Sequence, residues 1–412
     1  MGEKHWITNV ALEVGYEFYK GEITETKTSL FHFFIEDGLI KRIVPSSEAV
    51  QDDEVLIDAK GMLAVPAFQE KHIHLDKTYY SGPWKAPIKG NRFKRIAEEK
   101  ELLPKLRPYM QERAEQLLQL IGRYGATAVR THCNIESTSG LHNLEATQRA
   151  LETYQNQFFS EIVAFPQHGL LRDNSAELVK EAMRNGAHLV GGVDPATFDE
   201  NLERSLYTTV NIAAEFNAGI DLHLHNRGQL GTYTMKQLAK LTKEAGLQGK
   251  VTISHAYALG DVSIEEAEEV ADLLADAQID LTSGAPFDIP GIPFAAMREK
   301  GVSIALGNDS ITDNWDPFGT GDMLRKARDL ARKCDWRDER SLAKSLAYIT
   351  GGKLPLDDRG TQLWPKPHDE ASFVLLAVSC SAEAVARGVH ERITLRKGNI
   401  TFQDEEVRLI RQ

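Results

Sequence analysis

Along most of the chain, short apolar runs alternate with longer stretches whose apolar residues recur at helical spacing. The candidate strands are Ala64–Leu75, Ala126–Cys133, Glu161–Gln167, His188–Val193, Ile220–His225, Val251–Tyr257, Ile279–Ser283 and Val302–Asn308. Between them, sets such as Leu202, Leu206, Val210 and Ala213, or Ile264, Ala267, Ala271 and Leu274, put apolar side chains on one helical face. About eight strand–helix units in succession predict an α/β fold, a (β/α)8 TIM-type barrel. A doubly wound sheet shows similar alternation, so the count alone leaves it open.

The pattern changes at both ends. The first sixty residues read as short strands and turns: Leu30–Ile35 is strand-like, Glu36-Asp37-Gly38 is a hairpin signal, and Leu39–Val44 returns. Near the C-terminus, Ser372–Leu376, Arg392–Leu395 and Ile400–Phe402 have the same character, with a turn at Lys397-Gly398-Asn399. Residues 1–62 and 356–412 are therefore expected to pair into one small sheet domain beside a barrel of residues 63–355.

Composition narrows the class. The 412 residues are 42% hydrophobic and 26% charged, an ordinary globular profile. A formal charge of -12 argues against a general nucleic-acid binder, whose affinity comes from basic side chains meeting phosphates. No uninterrupted apolar run is long enough to span a membrane. Cys133, Cys334 and Cys380 are few and far apart, which fits a reducing compartment. Met1-Gly2-Glu3-Lys4-His5-Trp6 lacks the apolar core of a signal peptide, so a cytoplasmic location is expected.

The chemistry lies at the strand ends, where barrels of this kind place their active sites. The first barrel strand ends in His72-Ile73-His74, and two imidazoles two residues apart on a strand face the same side. The fifth ends in His223-Leu224-His225, the sixth in Ser254-His255, the eighth in Asn308-Asp309-Ser310. One histidine at a strand end is more often structural. Four such ends in one barrel point to a divalent metal, with imidazoles suited to zinc or iron. By spacing alone either His223 or His225 could be the ligand on the fifth strand.

This ordered set resembles the amidohydrolase superfamily: His-x-His on strand 1, His on strands 5 and 6, Asp on strand 8. The resemblance covers almost the whole chain and implies that the two β-rich ends form a small β-sandwich. Two-metal members usually carry a bridging carboxylated Lys at the end of strand 4. Here Gly191-Gly192-Val193-Asp194-Pro195-Ala196-Thr197 has none, which implies one metal, zinc before iron. The words His72-Ile73-His74-Leu75-Asp76-Lys77, Arg130-Thr131-His132, Phe165-Pro166-Gln167, Ser254-His255-Ala256 and Trp315–Met323 are similar to the cytosine deaminase-like branch. Cytosine deaminases have Glu at the position of Asn226 and a second Asp at that of Ser310. Members of the branch that act on triazines have a His matching His225 and a Lys matching Lys77. Their residue at Ser310 is Asn, so the same substrate is not implied.

The family pattern implies His72, His74, His223 and Asp309 as ligands, with His255 holding the attacking water and Asp309 taking its proton. The expected reaction is hydrolytic deamination or N-dealkylation of a small nitrogen heterocycle: a pyrimidine, triazine, pterin or similar ring. His225 is the candidate proton donor, since imidazole titrates near physiological pH. Gln167, ending strand 3, offers a donor and an acceptor to an N–C=O ring edge. Lys77 is a candidate for a ring oxygen or an anionic ring, and Trp315 for stacking. His132 reads as structural. A cyclic-amide ring-opening hydrolase is the alternative. A silent, non-enzymatic paralogue is disfavoured because all four ligands and His255 are present. The branch implies a homo-oligomer.

Overall fold

The computed structural model describes residues 4–50 and 55–403. The signal-peptide reading at residues 1–3 and the outer end of the C-terminal segment, 404–412, lie outside the described residues.

Eight parallel strands form the barrel: β6 (Phe68–Ile73), β7 (Ala126–Asn134), β8 (Phe159–Phe165), β9 (Leu189–Val193), β10 (Gly219–Leu224), β11 (Val251–His255), β12 (Ile279–Ser283) and β13 (Ile304–Leu306). They pair in sequence order, which excludes the doubly wound alternative. The ring closes through a parallel bridge between Ile73 and Asp309. There the Asp309 amide donates to the His72 carbonyl at 2.7 Å, and the His74 amide to the Asp309 carbonyl at 3.2 Å. Three of the candidate ligands are thus part of the seam.

That seam needs a small residue and a buried acid. A Cβ on Gly307 would lie 2.5 Å from the His72 Cβ, so only glycine lets the last strand approach the first this closely. Buried Glu70 accepts from the amides of His72 (3.1 Å) and Asn308 (3.0 Å) and from the Asn308 side chain (2.6 Å). It clasps the two strands together.

The apolar stripes face the barrel as expected: Leu202, Leu206, Val210 and Ala213 are buried, as are Ala267, Ala271 and Leu274. Each large apolar side chain buried this way is worth roughly 1.5–3 kcal/mol. Ile264 departs from its stripe and is exposed, because it is the first residue after the Ser263 cap.

The chain ends build a second sheet from β1 (His5–Tyr19), β2 (Glu22–Glu36), β3 (Leu39–Pro45), β4 (Val55–Asp58), β5 (Leu63–Pro66), β14 (Phe373–Leu376), β15 (Arg392–Arg396) and β16 (Asn399–Gln403). It encloses its own core, including Ile7, Phe33, Ile35, Phe373 and Ile393. Two expectations change here. The run Ala64–Leu75 is not one strand: β5 pairs with β14 in the end sheet, and the chain crosses to the barrel at Ala67. Pro66 is the last ladder partner in the end sheet, opposite Phe373, and the Ala67 amide makes one more bond, to the Ser372 carbonyl, before the Phe68 amide turns to Gly125 on the barrel side. Nor are the first two N-terminal strands short. β1 and β2 run 15 residues each, their pairing has three register shifts along its length, and their far ends extend as an exposed hairpin.

One helix matters for the site. α1 (Arg92–Leu106) follows β6 and starts at Asn91, whose side chain accepts from the Lys94 amide. Its buried residues are Ile96, Glu99 and Leu103. Ile96 packs with Phe165, Val193, Phe198 and partly buried Trp315 over the strand ends.

Candidate metal centre

Side-chain ligand atoms of His72, His74, His223 and Asp309 lie within 4.8 Å of one another. Asp309 Oδ1 is 3.4 Å from His72 Nε2 and 3.2 Å from His74 Nε2, and His223 Nε2 is 3.5 Å from His74 Nε2.

The hydrogen bonds behind these rings decide which nitrogens are free. Ser254 Oγ donates to Asp221 at 2.6 Å, so it accepts from His72 Nδ1 at 2.8 Å. His74 Nδ1 donates to the His132 carbonyl at 2.9 Å. Both rings therefore turn bare Nε2 lone pairs toward the Asp309 carboxylate, and buried His72 Nε2 has no hydrogen-bond partner. Acceptors facing acceptors at this range repel unless a cation lies between them. The donor set of three imidazoles and one carboxylate fits a divalent zinc or iron ion.

Electrostatics keeps the donors ready to ligate. Burial, reinforced by Lys77, brings His74 down to about 4. Burial also holds His223 and His255 well below the usual imidazole value, with neighbouring imidazoles adding to it. Asp309 and His255 both sit in left-handed backbone, at φ 61° and 74°. Non-glycine residues tolerate that strain chiefly where the surroundings impose it.

A second group, His72, His132 and Asp221, also lies close enough to share an ion. Asp221 is already neutralised, however: Arg130 reaches its other oxygen at 2.9 Å while also holding Glu161 at 3.0 Å. This is a scaffold beneath the centre, and His132 lies in it, its ring 3.9 Å from that of His72.

On one bank of the centre, His225 stacks on His255 with ring centroids 4.0 Å apart. Its Nδ1 donates to Asp194 Oδ2 at 3.0 Å, which leaves Nε2 free. Asp194 is fully buried at the end of β9 and accepts also from the amides of His225 and Asn226 and from Arg92 of α1, at 2.8 Å. Burial would raise this carboxyl, but His225 and Arg92 hold it below its usual range. The Asn226 side chain donates to Thr197 at 2.7 Å.

The other bank is closed. Lys77 is 3% exposed and donates to Gln167 Oε1 at 2.8 Å, with Glu99 of α1 at 3.3 Å. Trp315 Nε1 donates to the same Glu99 oxygen at 3.2 Å, and the Lys77 ammonium lies 5.4 Å from the Trp315 ring centroid. Burial would lower Lys77, but Glu99, then Asp313 and Asp76, keep the ammonium above its ordinary range. Lys77, Gln167 and Trp315 thus form one linked set. Ser310 is buried beside Asp309.

Sequence reasoning named the six residues of the centre and these three, but not Asp194, Arg92, Glu99, Glu70 or Asp221 as parts of the site. Two carried a signal. Asp194 ends a strand, as the ligands do. Glu99 stands three after Ile96 and four before Leu103, inside an apolar stripe where a solvated acid does not belong.

Comparison with known proteins agrees with this geometry. A sequence profile described as amidohydrolase family matches residues 84–402. An Escherichia coli (strain K12) protein, YahJ, described as uncharacterized, is 41% identical over 404 residues, covering 97% of this chain and 87% of its own. N-isopropylammelide isopropyl amidohydrolase of Pseudomonas sp. (strain ADP) is 30% identical over 389 residues, covering 92% of this chain and 96% of its own. The crystal structure of N-isopropylammelide isopropylaminohydrolase from Burkholderia multivorans ATCC 17616 superposes with a TM-score of 0.86 at 30% identity, covering 97% and 98% of the two chains.

Proposed function

The chain belongs to the amidohydrolase family, as a hydrolase of carbon–nitrogen bonds other than peptide bonds, and from that premise we propose that it releases an amine from a small nitrogen heterocycle. The reaction is a hydrolytic deamination or N-dealkylation of a pyrimidine, triazine, pterin or similar ring. The observation that carries this reading is the position of His225, with a free imidazole nitrogen, stacked on His255 beside the ligand cluster.

His72, His74, His223 and Asp309 hold one divalent ion, zinc before iron. When bound, such an ion supplies Lewis acidity that makes water nucleophilic at neutral pH. Asp309 takes the proton of the attacking water on its outer oxygen, which faces His255 Nδ1 at 4.0 Å. His255 positions that water. His225 passes a proton from its Nε2 to the departing amine, since an amide-like nitrogen leaves only as a neutral amine. Buried Asp194 fixes the His225 tautomer and stabilises its cationic form. A carboxylate behind an imidazole plays that part in other hydrolases.

Recognition falls to the closed bank. Lys77 occupies the Gln167 carbonyl, which leaves the Gln167 amide N–H groups to meet a ring carbonyl. Trp315, held through its indole nitrogen, presents a flat apolar wall to the ring. Ring-opening of a cyclic amide, the alternative, would draw on the same centre and proton donor, and the products separate the two: a released amine against a new carboxylate.

The test is amine release by metal-loaded enzyme from N-alkyl ammelides, ammelide, cytosine, isocytosine, creatinine and aminopterins. Ammonia or an alkylamine from one of these rings is expected, and which amine appears assigns deamination or N-dealkylation. A new carboxylate from a cyclic amide, with no amine from any member of the panel, would overturn the reading.

A further inference from the structure

Outside the metal centre, the strongest unexplained feature is a basic cavity of about 310 Å³. It lies between the helix Met323–Lys333 and the turn that follows the helix Ser381–Arg387. Arg325, Arg328, Arg332 and Arg387 line it, with His390 and Tyr124. The first three are exposed, and among the described residues none of them has an ion pair. They stand at positions i, i+3 and i+7 of one helix and so share a face.

This arrangement is costly in isolation. Like charges three or four residues apart on a helix repel. The chain has ample acid to relieve them, with 60 Asp and Glu against 48 Lys and Arg. Yet the cavity holds only two carboxylates. Asp322 is already spent, gripped on both oxygens by buried Arg392 at 2.7 Å each. Asp329 alone faces Arg325, Arg328 and Arg332. Arg387 is balanced by Glu383 at 2.6 Å. The cavity therefore has an excess of positive charge on an acidic protein.

We propose that this cavity is a binding site for a small molecule bearing a diphosphate. Guanidinium groups grip phosphate oxygens as two-pronged donors, which suits arginine better than lysine. The length of the row selects the ligand. Seven residues of helix rise roughly 10 Å, more than one phosphate can bridge and close to the reach of two in sequence. The ligand would touch both the helix Met323–Lys333 and the Arg387–His390 turn. It would thereby brace the junction that the Asp322–Arg392 pair already makes between the barrel side and the end sheet.

The experiment is isothermal titration of the metal-loaded, full-length protein with inorganic pyrophosphate, orthophosphate and ADP at matched ionic strength. Saturable binding at one site per chain is expected, tighter for pyrophosphate than for orthophosphate. R325A/R328A should weaken it about 100-fold, at about tenfold per lost charge-assisted contact. R328K should weaken it as well, while R337A, at an exposed arginine outside the cavity that pairs with Asp335, should not. Anion binding at the metal ion would persist in R325A/R328A, so the difference between variant and parent isolates this cavity. Equal affinity for ADP and pyrophosphate assigns a free diphosphate, and tighter ADP a nucleotide lying along the Tyr124 wall. Failure of pyrophosphate to saturate, equal affinity for orthophosphate, or unchanged affinity in R325A/R328A would overturn the proposal. None of these results depends on the amine-release reading.

Discussion

The two banks of the metal centre are made from the same parts and end with different freedom. Each has a buried carboxylate facing a cation, and α1 serves both. Arg92 and Glu99 are seven residues apart, about two turns, and so share one face of that helix. On the first bank the acid is Asp194, and its partner His225 keeps one ring nitrogen free with 19% of its side chain exposed. On the second the acid is Glu99, and its partner Lys77 is 3% exposed with its ammonium already engaged. The lesson is that the same ion-pair motif keeps a ring nitrogen free or seals its cation away according to what it leaves unbonded. An imidazole with a free ring nitrogen that touches solvent can exchange a proton. An ammonium sealed against a carboxylate cannot.

The largest expected effect removes what the banks share. His223→Ala should abolish both bound metal, measured by elemental analysis, and amine release, whereas His225→Asn should keep the metal. Equal metal loss in the two variants would place the fifth-strand ligand wrongly. Next comes the open bank itself. His225→Asn and Asp194→Asn should each lower kcat by roughly 10²- to 10⁴-fold, the usual worth of positioned acid–base catalysis. An unchanged kcat would end the proton-transfer role.

On the closed bank the damage should be to stability first. Lys77→Met leaves Glu99 buried without its cation, a change that costs about 3–5 kcal/mol in comparable cases. Urea unfolding should show that loss, and K77M/E99L should recover most of it. A K77M variant as stable as the parent would show that the bank is not a strut.

A pH series sharpens the contrast further. His74 falls from its ordinary 6.5 to about 4 in the folded state, and His132, His223 and His255 fall with it, all chiefly through burial. Between those pH values the unfolded chain binds the protons and the folded chain does not. Stability of the metal-free protein should therefore be full above pH 6.5 and decline as the pH falls toward 4. Thermal melting across that window checks it, and a flat profile would contradict it. The smallest effect is expected from Arg92→Ala. Its side chain is 40% exposed, and such pairs are commonly worth no more than about 1 kcal/mol. Turnover should fall less than tenfold, far short of Asp194→Asn.

How much of this could be read in advance depended on how local the signal was. His72 and His74 declare themselves because strand alternation puts i and i+2 on one side. The eight strands stood out because apolar runs and helical stripes are short-range patterns, and the paired chain ends because their turn residues are local too. Ala64–Leu75 misled for the same reason. It is apolar throughout, and periodicity carries no mark of where a chain leaves one sheet for another. Glu99 was hidden in a run of charge, Glu98-Glu99-Lys100-Glu101, that resembles a solvated face. Only its register against Ile96 and Leu103 set it apart. Gly307 offered no cue that the His72 backbone would lie against it.

The amino-acid order by itself determined the fold class, the chemical type of the centre and the residues most able to form it, because those follow from patterns a few residues long. Tertiary structure alone decided what each charged group meets. Asp194 with His225 and Arg92, Glu99 with Lys77, and Asp221 with Arg130 are pairings across separate strands and helices. A buried charge must find a partner to be tolerated at all. Which partner it finds is set by the closure of the barrel and the docking of α1, which no local pattern records.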